Sequence, residues 1–402
     1  MKRKINITVT ALFLALIFGF GAAFWVVPDL SFSPEENRPL QTLPSFTADR
    51  WLDGKVSSQL ITYYSDQFPL RNTWVGIHAM GELGALRGES NGVLVGQNGQ
   101  LAVRRFDAYL SRFERLENTD IYSPAHVDKG LNALISLDET LSAQGIPLCV
   151  LLAPRTIDVA AGDFAYPSDI SDGLDVTIQN TLSSAKVNSV EMMAAFRELH
   201  GAGEYVYYRT DHHWTTQGAY VAYAAVMESW GMGDQILPES YFTVREVPDF
   251  YGTTHARAGL FFLPPDTLEI WEAPDDGRFT VFEVNGDKET KTVLESGFIS
   301  EKYLSEKDKY GAFLDGTHRM LFIVDKEAAA KGESRPRLLL ARDSFANSMV
   351  PFLARHFDIC MVNLTGGMTN LTALCEEYGC QRVLVVCNRE NLIASDCLTL
   401  LE

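Results

Sequence analysis

A three-layer α/β domain built on a parallel sheet is the fold class this sequence predicts, and three observations predict it. Runs that are apolar throughout, at 146–153, or apolar after an opening Arg or Asp, at 337–341, 358–362 and 382–387, read as strands buried on both faces. Segments with helical spacing, at 189–200, 217–230, 346–355 and 369–378, alternate with these strands, as helices covering a parallel sheet must. The 402 residues are 46% hydrophobic and 21% charged, which supplies a large core and excludes a disordered or low-complexity chain.

Residues 5–27 are almost uniformly apolar and uncharged, follow Lys2, Arg3 and Lys4, and are long enough to cross ~30 Å of hydrocarbon. The run exceeds a signal-peptide core, and Ala22 and Ala23 lead into Phe24-Trp25-Val26-Val27 rather than polar sequence. Residues 1–27 are therefore expected to be an uncleaved single-pass anchor, with Trp25 at the interface and the body outside the membrane by the positive-inside rule. Residues 28–50 are rich in Pro, Ser and polar groups and read as an extended linker.

The main domain is expected over 51–402. Leu60, Tyr63, Tyr64 and Phe68, then Trp74, Val75, Ile77, Met80 and Leu83, space two amphipathic helices parted at Pro69. Residues 91–101 carry the turn chemistry of a hairpin. A helix over 125–144 is expected between a Ser123 cap and Gly145. Residues 205–208 read as a further strand, and 235–335, with β-like runs at 279–284 and 320–324, as a β-rich insertion.

Asp+Glu number 52 against 34 Lys+Arg, a net charge of −18, which argues against a nucleic-acid partner. Six cysteines without a CxxC pair exclude a disulfide scaffold or a structural zinc. Cys149, Cys360 and Cys387 lie in apolar runs and read as buried thiols, while pairing of Cys375 with Cys380 stays open.

Ligand sites of open parallel sheets lie beyond the carboxyl ends of the strands. Four predicted strand ends release polar loops: Pro154-Arg155-Thr156, Arg209 to Trp214, Arg342 to Phe345, and Asn388 to Asn391. Ser344 follows its strand closely and opens a helix, the placement of a nucleophile at a strand–turn–helix corner, although Asp343 or Ser344 as a simple helix cap explains the same residues. Asp211 and His213, two apart, can point the same way, so the carboxylate can hold the imidazole that takes a serine proton. A buried structural pair and a metal site of Asp211, His212, His213 and His255 are the competing readings. Trp214 would wall the pocket or stack on a sugar ring, and Thr215 or Thr216 would cap the next helix.

Thr210-Asp211-His212-His213-Trp214-Thr215 contains the tetrapeptide that names the DHHW family and is similar to the Asp-x-His-Trp motif of the SGNH-hydrolase-like alginate O-acetyltransferases of AlgX/AlgJ type. Glu36-Asn37-Arg38-Pro39-Leu40, Asp66 to Arg71, the hairpin from Gly92 to Gly99, Tyr251-Gly252-Thr253 and Arg342 to Ser348 extend the resemblance over nearly the whole chain. It implies a flavodoxin-like, SGNH-hydrolase-like α/β/α domain whose motif order, Asp and His before Ser, is circularly permuted. It also implies Ser344 as nucleophile, His213 as base and Asp211 as its orienting acid. Arg155 sits where those relatives carry a basic residue, and Asn347 or Asn388 is an oxyanion donor by the same likeness. Arg342-Asp343 before the serine, and His212 beside the base, depart from the acetyltransferase pattern.

The function this implies is transfer of an acetyl group, without a cofactor, to hydroxyls of a cell-surface or secreted polysaccharide, the donor delivered by a membrane-bound O-acyltransferase of the MBOAT type. A patch of Arg155, Arg209 and Arg342 would draw anionic glycans to an otherwise acidic body. Three alternatives stand beside it: an esterase using water as acceptor, a non-catalytic glycan-binding or assembly protein, and a metal-dependent hydrolase.

Overall fold

The computed structural model describes residues 2–401 apart from 53, 86, 104–123, 166–168, 285–290 and 368. Two compact units emerge, 1–91 with 256–262, and 92–255 with 263–402. The expected Ser123 cap lies outside the described residues.

In the first unit, α1 (Lys2–Val26) contains the apolar window Asn6–Val26 with a mean hydropathy of 2.3, so one helix is long and apolar enough to span a bilayer. The two amphipathic helices are α2 (Lys55–Asp66) and α3 (Arg71–Gly84). Pro69 cannot continue a helix, and Leu70 turns the chain in a left-handed conformation, φ 59°. The expected free linker is instead tied down. Arg38 pairs with Asp66 Oδ1 and Glu36 Oε2, each at 2.6 Å, Arg71 also pairs with Glu36, and Leu40 is buried. Two of the recurring strings, at 36–40 and 66–71, are thus the two halves of one charge network.

The second unit is built on an eight-stranded mixed sheet. Its strands are β1 (Leu148–Ala153), β2 (Ser189–Val190), β5 (Phe279–Val284), β6 (Lys291–Val293), β7 (Met320–Asp325), β8 (Arg337–Arg342), β9 (Asp358–Asn363) and β10 (Arg382–Asn388); β3 (Thr243–Phe250) and β4 (Asp266–Glu272) form a separate hairpin. The order is β6-β5-β7-β9-β8-β10-β1-β2. The five strands from β9 to β2 are parallel, and β7, β5 and β6 extend them antiparallel. The expected β-rich insertion is therefore not a body apart, since three of its strands complete the central sheet.

Side chains alternate across the strands, so each strand feeds two cores. Leu148, Val150 and Leu152 pack with Leu131, Leu134 and Leu141 of α4 (Pro124–Ala143) and with Leu182 of α5 (Asp169–Ser184). Cys149, Leu151 and Ala153 face Phe196 of α6 (Met193–Gly201) and Tyr223 of α7 (Thr216–Ser229). All six cysteines are free and buried, Cys375 and Cys380 included.

Three local expectations change. Residues 189–190 are the edge strand β2, and the helix begins only at Met193. Residues 205–208 form no strand; Tyr207 makes a single bridge with Trp214. The helix expected over 346–355 is a 3-10 turn, Ser344–Ser348, followed by one α-turn, Val350–Leu353, with Pro351 near its start.

Candidate active site

The site is assembled from two loops. The first is a closed corner: Tyr208 N–H donates to His213 O at 3.2 Å and Thr215 N–H to Val206 O at 3.0 Å, which presents 209–214 as a tight turn. Thr215 then caps α7 by accepting from Gly218 N–H. Asp266, at the start of β4, accepts from Thr210 N–H at 2.7 Å and Thr210 Oγ1 at 2.6 Å and anchors the corner from outside. The second loop leaves β8. Asp343 caps the serine turn through Phe345 N–H at 2.9 Å, and its other oxygen accepts from Asn388 N–H and Asn391 Nδ2, both at 2.6 Å. The capping reading of Asp343 is correct, and the cap is what fixes Ser344 at the sheet end.

Between the loops runs an unbroken chain of hydrogen bonds. Ser344 Oγ lies 2.7 Å from His213 Nε2, and His213 Nδ1 lies 2.5 Å from Asp211 Oδ2. The network assigns the proton to Nδ1, leaving Nε2 to accept from the serine. Asp211 Oδ1 accepts from Thr253 N–H at 2.9 Å and Thr253 Oγ1 at 2.7 Å, and Thr253 Oγ1 in turn accepts from His212 Nδ1 at 2.7 Å. A Cβ on Gly252 would fall 2.2 Å from Asp211 Cβ, so only glycine lets that backbone pass the carboxylate.

Burial acts on the two histidines in one direction, and charge separates them. Burial, aided by the neighbouring His212, pushes the His213 imidazole down to about 4, against the pull of Asp211. Burial also opposes a charge on His212, but Asp211, with Glu390 and Asp343 behind it, raises that imidazole to about 9. Asp211 is buried as well, which disfavours its charge, yet the two histidines hold it well below the usual carboxylate range. The arrangement is a neutral imidazole at His213, an ionised carboxylate at Asp211 and a cationic His212 with its side chain 39% exposed.

Two aromatic residues clamp this chain. Tyr310, from the 235–335 segment, stacks on His213 with centroids 3.7 Å apart and planes 7° from parallel, and its hydroxyl donates to Ser344 O at 3.1 Å. Trp214 is fully buried, and its Nε1 donates to Phe345 O at 3.0 Å, joining the histidine corner to the serine turn. Trp214 thus offers no face to a sugar, contrary to the pocket-wall expectation.

The remaining predicted residues are placed differently. Arg155 is buried and forked onto Asp158, at 2.9 and 2.7 Å, rather than presented to a substrate. Asn388 uses its Oδ1 to cap 389–394 through Glu390 N–H at 2.7 Å, which anchors its side chain at the end of β10. Asn347 is buried in the serine turn with Nδ2 3.5 Å from Gly316 O and Oδ1 unpaired among the described residues. Phe345 N–H, at the start of the serine turn, is already donated to Asp343 Oδ1. No cationic patch forms from Arg155, Arg209 and Arg342: the first and last are buried, and Arg209 lies over the Tyr205 ring. Ligand atoms of Asp211, His212 and His213 lie within 4.8 Å of one another, but His255 is outside that group and packs on Tyr251. Tyr310 carried no sequence signal, whereas Gly252 and Thr253 were visible only as part of a recurring string.

Fold and site define an SGNH hydrolase-like α/β protein with a serine–histidine–aspartate constellation. A family model described as SGNH hydrolase-like domain, acetyltransferase AlgX, matches residues 111–262. Within that class the chain resembles the DHHW and AlgJ proteins. It is 25% identical over 283 residues to a probable alginate O-acetylase AlgJ of Pseudomonas putida, covering 69% of this chain and 66% of the relative. A second AlgJ, of Azotobacter vinelandii, is 24% identical over 68% of this chain and 66% of its own length. The chain thus spans just under two thirds of these relatives. Among solved structures, a DHHW family protein from Eubacterium siraeum superposes with a TM-score of 0.56 at 19% identity, over 78% of this chain and 95% of that one. Bacillus cereus PatB1 with a sulfonyl adduct gives 0.59 at 16% identity, over 77% and 97%.

Proposed function

We propose that this chain is an extracytoplasmic, serine-dependent O-acetyltransferase acting on hydroxyls of a cell-surface or secreted polysaccharide. The observation that carries the reading is the Ser344–His213–Asp211 chain, with contacts of 2.7 and 2.5 Å. Ser344 Oγ attacks the donor carbonyl as its proton passes to His213 Nε2, and the departing group leaves with that proton. A sugar hydroxyl then gives its proton to His213 and attacks the acetyl-serine, and the proton returns to Ser344 Oγ. Asp211 keeps the imidazole oriented and stabilises its charged form at each step. The AlgJ relatives, named as probable alginate O-acetylases, support acetyl transfer and a glycan acceptor. The N-terminal apolar helix supports anchoring with the body outside, and resemblance supplies an MBOAT-type protein as the donor's source.

The test is acetyl release from a chromogenic acetate ester by wild type, Ser344→Ala and His213→Ala, with and without chelator and an oligosaccharide acceptor. Loss in both variants, no response to chelator and an acetylated oligosaccharide are expected. Acetate without acetylated sugar makes the protein an esterase. Inhibition by chelator returns the Asp211–His212–His213 metal reading. Wild type as inert as Ser344→Ala leaves a glycan-binding protein.

A further inference from the structure

Ile61, Tyr64, Phe68, Trp74, Ile77 and Met80, on α2, the bend after it and α3, are all 42–72% exposed. Their spacing puts Ile61 and Tyr64 on one face of α2, and Trp74 and Ile77 on one face of α3. The other sides of these helices are satisfied: Val56, Tyr63 and Ala79 are buried, and Asp66 is held by Arg38. Single exposed apolar residues are ordinary, but a continuous aromatic and aliphatic face of this size marks an interaction surface.

What covers it is indicated by α1. Phe20 stacks on Phe68 at 5.6 Å and meets Trp74 at 5.7 Å, and Phe24 stacks on Tyr64 at 5.2 Å. Phe20 and Phe24 belong to the window that is apolar enough to cross a bilayer. Phe20 lies six residues before the helix end at Val26, a rise of about 9 Å. Rings touching Phe20 are then carried to the boundary between headgroups and acyl chains, where amphipathic helices bury their apolar faces by ~5–10 Å and where Trp and Tyr concentrate.

We infer that α2 and α3 lie on the outer surface of the bilayer with this face buried in lipid, so that the unit is held by a spanning helix and by a collar around it. This rests on the anchored reading of α1 given above. The helix would supply attachment and the collar would fix the tilt of the first unit against the membrane plane.

Because all six native cysteines are buried, single exposed cysteines can be labelled selectively. The full chain, carrying Ile61→Cys, Ile77→Cys or Leu14→Cys, is labelled with a nitroxide in phosphatidylcholine–phosphatidylglycerol vesicles, and accessibility to oxygen and to an aqueous nickel chelate is compared. At Ile61 and Ile77 oxygen is expected to win, with a depth of about 5–10 Å below the headgroups, and Leu14 deeper still. Leu14 in lipid with Ile61 and Ile77 open to the chelate overturns the collar and leaves the anchor standing. Both collar labels shielded from oxygen and chelate alike overturn it in favour of a second copy or a protein partner. Leu14 open to chelate removes the anchor, and the collar with it.

Discussion

Tyr310 lies flat on His213, 3.7 Å away and 7° from parallel, while its hydroxyl reaches Ser344 O at 3.1 Å and Ser348 Oγ at 3.2 Å. One side chain thus fixes the plane of the His213 imidazole and the turn that carries Ser344. Since a shift of the base by ~1 Å can cost ~10²-fold in rate, the stack is part of the site's geometry. Tyr310→Phe should keep the stack, lose about 1 kcal/mol of stability and retain most turnover. Tyr310→Leu should lower kcat by roughly 10²-fold with KM little changed. Equal kcat values for the two variants, measured on a chromogenic ester, would show that the ring does not orient His213.

Gly252 makes a second, sharper case. Its missing side chain is what Asp211 occupies, with 2.2 Å between the would-be Cβ and Asp211 Cβ. Gly252→Ala should displace the carboxylate and lower kcat on the scale of an orienting-acid substitution, up to ~10⁴-fold, with Asp211→Asn comparable. A Gly252→Ala enzyme of normal rate, folded by circular dichroism, would mean that Asp211 has other room.

For Trp214 the expected effect is on stability rather than on glycan affinity. Trp214→Phe removes the shorter of two donors to Phe345 O, leaving the buried carbonyl only the Tyr310 hydroxyl at 3.4 Å, and should cost about 1–3 kcal/mol in urea unfolding. Oligosaccharide binding by the folded variant should match wild type. A selective loss of binding would restore the sugar-stacking role.

The pH profile should report the paired histidines. With His213 held at about 4, it is neutral through the physiological range and kcat/KM should fall only as acid protonates it near that value. Removing the cationic neighbour makes protonation of His213 easier, so in His212→Gln the acid midpoint should rise toward the ordinary ~6.5. An unmoved or lowered midpoint would contradict the charge coupling between the two rings.

Much of the site was legible because its chemistry is local. Asp211 and His213 share one corner, Ser344 sits just beyond a strand end, and Asp343 and Thr215 bear the marks of caps. Arg155 and Trp214 are placed otherwise than expected for one shared reason. Each is a polar or aromatic residue close to the site in sequence, but its side chain is claimed by a partner that local reasoning does not weigh: Asp158 and Phe345 O.

By itself the sequence determined the α/β class, the buried parallel strands, the apolar N-terminal helix and the polar loops at the strand ends that carry Asp211, His213 and Ser344, because apolar periodicity and local loop chemistry act over a few residues. Tertiary structure alone decided that strands from 235–335 finish the central sheet, that Tyr310 comes from there onto His213, and that the segment 36–41 locks onto the α2–α3 bend. Those outcomes depend on contacts between positions tens to about a hundred residues apart, where side-chain packing and charge pairing, rather than the period of the chain, select the partner.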